Sequence, residues 1–124
     1  MRATKKFFTD CFLAGKKYYD TDEVFDKLRI GTKLMLIAEP DNRYDENAVA
    51  VAYKDESDTV SKDNVYQLGY IPRSENYAIA QLLNAGWKDI FECKITALRP
   101  EKYPNEQIHL TIRINNNKKA IQKV

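Results

Sequence analysis

Two segments in the second half of the chain alternate apolar and polar side chains with a period of two, and this constrains the fold more than any other feature. Phe91, Cys93, Ile95 and Ala97 fall on one side against Glu92, Lys94 and Thr96; Ile108, Leu110, Ile112 and Ile114 fall on one side against His109, Thr111 and Arg113. Successive side chains of an extended chain point to opposite faces, so both segments are strands with one face in a core and the other in water. Four further strands are predicted. Residues 8–14 are apolar and aromatic up to Gly15. Residues 33–39 carry Leu34-Met35-Leu36-Ile37-Ala38, apolar throughout and therefore read as buried, until Pro40 stops the pairing. Residues 48–53 are the expected partner of that strand, and residues 65–71 run to Pro72.

Two helices complete the pattern. Asp20 with Glu23 three positions on has the form of a reciprocal cap, and Val24, Phe25 and Leu28 form a short apolar face before Gly31. Ser74 is placed to cap a second helix whose face is Ile79, Leu82 and Leu83, with Gly86 at its end. Six short strands and two helices, one of them between the fourth and fifth strands, predict a mainly β fold. The architecture expected is a small OB- or SH3-like barrel or a strongly bent antiparallel sheet. A chain of 124 residues with 44% hydrophobic content has room for one such domain and a core that needs no metal or disulfide. We place the domain at residues 1–114 and read residues 115–124, with Lys118, Lys119 and Lys123, as a basic, frayed tail.

Several function classes are set aside at this stage. The glycines stand at 15, 31, 69 and 86, and Gly15-Lys16-Lys17 lacks the spacing of a phosphate-cradling loop, so no nucleotide-hydrolysing motor is expected. One histidine and two distant cysteines offer no zinc spacing; His109 reads as a surface residue, and Cys11 and Cys93 as small buried hydrophobes of a reducing compartment. No cofactor or metal is expected. Without an eighteen-residue apolar run or a signal-peptide core near Met1, no membrane partner is expected and the protein reads as cytoplasmic. The net charge of +2 is less than the three tail lysines supply, leaving residues 1–114 slightly acidic. A nucleic-acid partner would therefore have to meet cations gathered on one face, or be a short end rather than a long duplex. The acidic loop at 54–64 reads as solvated, with no site of its own.

The chemistry concentrates in Glu39-Pro40-Asp41-Asn42-Arg43-Tyr44-Asp45-Glu46-Asn47-Ala48, which leads into a strand. Pro-Asp-Asn alone would make a turn; an added aromatic, an arginine and several carboxylates go beyond what a turn needs. Asn47 reads as a turn residue bonding loop backbone. Gly15-Lys16-Lys17-Tyr18-Tyr19 precedes this segment and Gly69-Tyr70-Ile71-Pro72-Arg73 follows it, each setting tyrosine beside a cation. Tyrosine faces stack on bases regardless of sequence, and lysine or arginine beside them can take phosphate.

In this order the three segments resemble the HIRAN domain, a small β-rich module found in some helicase-like DNA translocases and also alone in bacterial proteins; the resemblance spans roughly residues 8–98. It implies a small barrel that binds single-stranded DNA at its 3′ end. Lys17 stands where arginine is common and would face a phosphate, beside Tyr18 and Tyr19. Asn42, Tyr44 and Asp45 match the central motif, which implies a stacking clamp of tyrosines for the last nucleotide and an aspartate that accepts its 3′ hydroxyl. Arg73 takes the place of a phosphate-contacting lysine, and Tyr70 that of a residue that is histidine in some members. The motor and RING regions of the large family members are missing from this sequence, so their fork-remodelling activity is not carried over; a separately encoded ATPase or nuclease is a candidate partner. Two other readings stay open: a metal-dependent nuclease or phosphohydrolase using Glu39, Asp41, Asp45 and Glu46, and a protein-interaction module anchored by the same tyrosines.

Overall fold

The computed structural model describes residues 6–15, 19, 21–57 and 64–116. They form six strands, β1 (Lys6–Phe12), β2 (Lys33–Ala38), β3 (Val49–Lys54), β4 (Val65–Tyr70), β5 (Phe91–Leu98) and β6 (Ile108–Ile114). Two helices join them, α1 (Thr21–Val24), continued by a 3-10 turn over Phe25–Lys27, and α2 (Tyr77–Asn84). The mainly β class, the six strands and the two helices agree with the sequence reading. All pairings are antiparallel, in the order β1-β6-β5-β2-β3-β4.

The two ends of this sheet meet. Ala14, just past β1, exchanges both backbone hydrogen bonds with Tyr70 at the end of β4, at 2.9 Å each. The bridge turns a bent sheet into a closed wall, the arrangement that removes exposed strand edges. The closure needs Gly69, because a Cβ there would lie 2.3 Å from the Ala14 carbonyl oxygen. Register shifts between Phe7 and Thr9, Val51 and Ala52, and Ile95 and Ala97 supply the bulges that curve the strands enough to close.

Inside the wall lie Leu13, Leu68, Ile95, Ile108, Leu110 and Ile112, with Val24 and Leu28 from the α1 region and Ile79 from α2. Each such side chain contributes roughly 1.5–3 kcal/mol on burial. Thr21 Oγ1 donates to Leu68 O at 2.7 Å and fastens α1 to β4. Cys11 and Cys93 are buried free thiols, pushed up to about 12 chiefly by burial.

Three expectations need correction. β2 is half-buried rather than buried throughout: Leu34 faces the core while Ile37 is 45% exposed. The strand buried along most of its length is its partner β3, whose Ala50 and Ala52 are small enough to be covered on the second face. α2 starts after Asn76, not after Ser74. Asp55 is no solvated loop residue; it is 2% exposed, accepts from Lys27 Nζ at 2.5 Å, and bonds Ser57 through both its backbone N–H and its hydroxyl. The proposed Asp20 cap lies outside the described residues, as do residues 117–124 of the tail; Asn115 is tied to Ile90 and Asp89 by bonds of 2.8 and 2.7 Å. Among the described residues no helix is long and apolar enough to cross a membrane.

Candidate nucleic-acid interface

The loop between β2 and β3 is built around two side chains. Asn42 Oδ1 accepts from the backbone N–H groups of Tyr44 and Asp45 at 2.9 and 3.1 Å, while its Nδ2 donates to Glu39 Oε1 at 3.1 Å. This is the local bonding at which asparagine excels. It turns the chain so that Tyr44 stands out of the loop, its side chain among the most exposed of the molecule, 79% open to solvent. Asn42 N donates to Glu39 O at 3.0 Å, and Glu39 N and Ala48 O close the loop base at 2.9 Å.

The second organising residue is Asp45. Its Oδ1 accepts from Asn47 N at 2.9 Å and its Oδ2 from Asn76 Nδ2 at 2.9 Å, with Arg73 Nε 3.7 Å away. The Asn47 N–H, then the Asn76 amide and more weakly the Arg73 charge hold this carboxyl below its ordinary range, against partial burial. An ionised carboxylate accepts hydrogen bonds and donates none. Arg73 also donates from Nη2 to Tyr44 O at 3.0 Å, yet its side chain remains 74% exposed, so much of its fork still faces water.

Tyr70, brought to the site by the barrel closure, donates its hydroxyl to Glu39 Oε1 at 2.7 Å. Burial first and this hydrogen bond second push the phenol up to about 12, so it stays protonated at neutral pH. Tyr19 packs edge-on against it, with ring centroids 5.6 Å apart and planes at 68°. Arg43 lies 5.8 Å from the Tyr44 ring centre.

These groups share one hollow of about 270 Å³, lined by Ala14, Gly15, Tyr19, Asn42, Tyr44, Asp45, Ala48, Tyr70 and Arg73. Six of the eight site residues named from the sequence therefore meet, from three separated segments; Lys17 and Tyr18 lie outside the described residues. Tyr19 and Tyr70 touch each other, so they make one aromatic wall and leave no slot between them for a base. Among the described tyrosines of the hollow, Tyr44 is the most exposed.

The acids do not gather. Glu39 is engaged by Tyr70 and Asn42, and Asp45 by Asn47, Asn76 and Arg73. Asp41 and Glu46 are exposed, and no group of three metal-ligating side chains occurs among the described residues. Asn47 is corrected: its Oδ1 accepts from Gln81 Nε2 of α2 at 3.0 Å rather than from loop backbone. His109 lies on the outer face of β6 and is half-buried there; its ring packs on Phe12 at 5.0 Å and its Nδ1 lies 2.9 Å from Thr96 Oγ1.

Two residues central to this geometry were not singled out for it by sequence. Glu39 entered only as a metal candidate, and Asn76 not at all. The signal for Glu39 was its place next to Pro40 at the strand end. Asn76 carried the signal of an asparagine just ahead of a helical face, which points to a cap rather than a site.

The sequence profile of the HIRAN domain matches residues 6–116. In structure the chain is similar to a protein from Lactobacillus plantarum, with a TM-score of 0.70 and 24% identity over 91% of this chain and 98% of that one. It is also similar to the HIRAN domain of human HLTF, with a TM-score of 0.59 and 17% identity over 94% of this chain and 81% of that one. At these identities the two likenesses establish the shared fold. No curated protein matches the chain.

Proposed function

The chain belongs to the HIRAN domain family, and on that premise we propose that it is a non-catalytic nucleic-acid-binding module that captures the 3′-hydroxyl end of single-stranded DNA. The observation that carries the reading is the convergence of Tyr19, Asn42, Tyr44, Asp45, Tyr70 and Arg73 on one hollow. Tyr44 offers a free ring for the last base, and the Tyr19–Tyr70 wall closes the apolar side. Arg73 presents N–H groups to a backbone phosphate, a role that the family resemblance also gives to Lys17.

Asp45 makes the site end-selective. A fixed negative charge repels phosphate but accepts a hydrogen bond from a terminal hydroxyl, so a 3′-hydroxyl end is favoured over a phosphorylated end or the interior of a strand. Among the described residues the two carboxylates of the site, Glu39 and Asp45, are engaged by neutral and cationic donors, an arrangement that suits recognition.

The test is a comparison of short oligonucleotides of one sequence ending in a 3′ hydroxyl or a 3′ phosphate, at low, stated salt. The module should bind the hydroxyl end about tenfold more tightly, the scale of one charge-assisted contact. Equal affinity would remove the end-recognition reading. Cleavage of either strand in Mg²⁺ would replace it with the nuclease reading.

A further inference from the structure

Asn76 stands at the N-cap position of α2, where an asparagine ordinarily turns its side-chain oxygen onto the free N–H groups of the first helical turn. Here its backbone is already helical, at φ −91° and ψ −19°, and its side chain makes no cap. From a position only 3% exposed, its Nδ2 donates instead to Asp45 Oδ2 at 2.9 Å. Forgoing a cap costs a helix about 1 kcal/mol. What the side chain gains is a fixed orientation for the acid of the hollow.

A carboxylate offers about four lone-pair positions. Asn47 N–H takes one on Oδ1 and Asn76 takes one on Oδ2, while Arg73 Nε at 3.7 Å is too distant for a direct hydrogen bond. Each oxygen thus keeps room for another donor, yet neither can swing away, because one is pinned to the loop and the other to α2. Gln81, one turn further along α2, holds Asn47 Oδ1 at 3.0 Å and ties the same loop to the same helix.

We propose that Asn76 is a positioning residue that sets the end selectivity of the hollow, by holding Asp45 as an oriented, ionised acceptor for a terminal hydroxyl. The inference rests on the reading of the hollow as a strand-end site and assigns part of its selectivity to a residue that does not line the hollow. Among the described residues, Glu46 and Tyr77 adjoin the Asn76–Asp45 pair in sequence. Arg73 faces the carboxylate, the phenols of Tyr19, Tyr44 and Tyr70 line the hollow, Glu39 sits behind Asn42, and Glu75 accepts from Thr9 Oγ1 at 2.9 Å. The sole histidine, His109, is placed on β6 against Phe12.

Two substitutions test it by the ratio of Kd values for 3′-phosphate and 3′-hydroxyl oligonucleotides. Asn76→Ala should lower that ratio about fivefold to tenfold, the scale of a lost hydrogen bond to a charged group, by weakening the hydroxyl end while leaving the phosphate end nearly unchanged. Asn76→Asp keeps the shape but sets a second carboxyl beside Asp45, and two such groups share a proton before both ionise. Its ratio should therefore climb between about pH 5 and pH 8 more steeply than the native ratio, which rises there only with the second ionisation of the terminal phosphate itself, at about pH 6. An unchanged ratio in folded Asn76→Ala overturns the proposal. Where that variant does not fold, an Asn76→Asp profile that runs parallel to the native one overturns it. If the native protein itself shows no preference between ends, the functional reading fails; if the native protein prefers the hydroxyl and Asn76→Ala keeps the native ratio, only the role of Asn76 fails.

Discussion

Replacing Tyr44 by alanine separates binding from folding more cleanly than any other change in this molecule. The ring is 79% exposed and absent from the buried core, while the loop is held by backbone and by neighbours: Tyr44 N donates to Asn42, and Tyr44 O accepts from Arg73. Tyr44→Ala keeps both of those bonds, so stability should change by less than about 0.5 kcal/mol, the usual range for surface positions. One base stacked on an aromatic side chain is worth roughly 1–3 kcal/mol. Arg43 already lies 5.8 Å from the ring centre, which leaves one face for a base and argues for the lower part of that range. The expected loss is about fivefold to thirtyfold in Kd, equal for 3′-hydroxyl and 3′-phosphate ends, because a ring does not sense the charge of the terminus. Fluorescence anisotropy with a labelled oligonucleotide at low salt measures the loss, and a thermal melt checks the fold. A Kd within twofold of native in a protein that melts as the native does would refute the stacking argument.

Other substitutions probe the remaining elements. Asp45→Asn removes the charge and keeps an acceptor, so the preference for a 3′ hydroxyl over a 3′ phosphate should shrink by about tenfold, mainly through tighter binding of the phosphate; parallel titrations with the two oligonucleotides measure it. Arg73→Ala should weaken all ends alike and lower the slope of log K against log salt by about 0.7, one single-strand phosphate contact. Gly69→Ala forces a Cβ to within 2.3 Å of Ala14 O, and the resulting overpacking should cost about 1–3 kcal/mol in chemical denaturation and weaken oligonucleotide binding with it. Asp55 is held below its ordinary carboxyl range by Lys27 first and Ser57 second. Its contribution to stability is therefore complete above the unfolded value of about 3.9 and is lost as pH falls through the lower folded value. The stability difference between native and Asp55→Asn should shrink as urea melts are carried to acid pH, and a difference that grew would contradict the sign.

Much of the fold was legible because the barrel wall repeats a simple rule. β5 and β6 alternate in sequence as they do in burial, with Cys93, Ile95, Ile108, Leu110 and Ile112 inside. Where the rule is ambiguous the reading slipped. Leu34 to Ala38 is apolar on both phases, so sequence could not tell which phase meets solvent; Ile37 does. Asp55 looked like one acid among several in a polar loop, and only the approach of Lys27, twenty-eight positions earlier, makes it a buried partner.

The site divides in the same way. Tyr44, Asp45 and Asn42 lie in one short motif, and their mutual geometry follows from local asparagine bonding. The contacts that tune it are long-range: Tyr70 to Glu39 reaches across β3 from the end of β4 to the end of β2, and Asn76 to Asp45 joins a helix start to a loop thirty-one residues earlier. A cap signal and a core signal are read from neighbours in sequence, and neither carries information about a partner across the fold. The relation of Tyr19 to Tyr70 was likewise hidden, since two tyrosines in separate segments do not declare whether they face each other across a slot or touch edge-on.

The central claim is that one hollow receives the end of a strand, and residue-resolved NMR titration with a short 3′-hydroxyl oligonucleotide tests it most directly. The account predicts that the largest amide shifts cluster at Gly15, Tyr19, Tyr44, Asp45, Tyr70 and Arg73, and that a 3′-phosphate oligonucleotide moves them less at equal concentration. Shifts centred on the outer face of β5 and β6, around Thr96, His109 and Thr111, with the hollow unmoved, would contradict it.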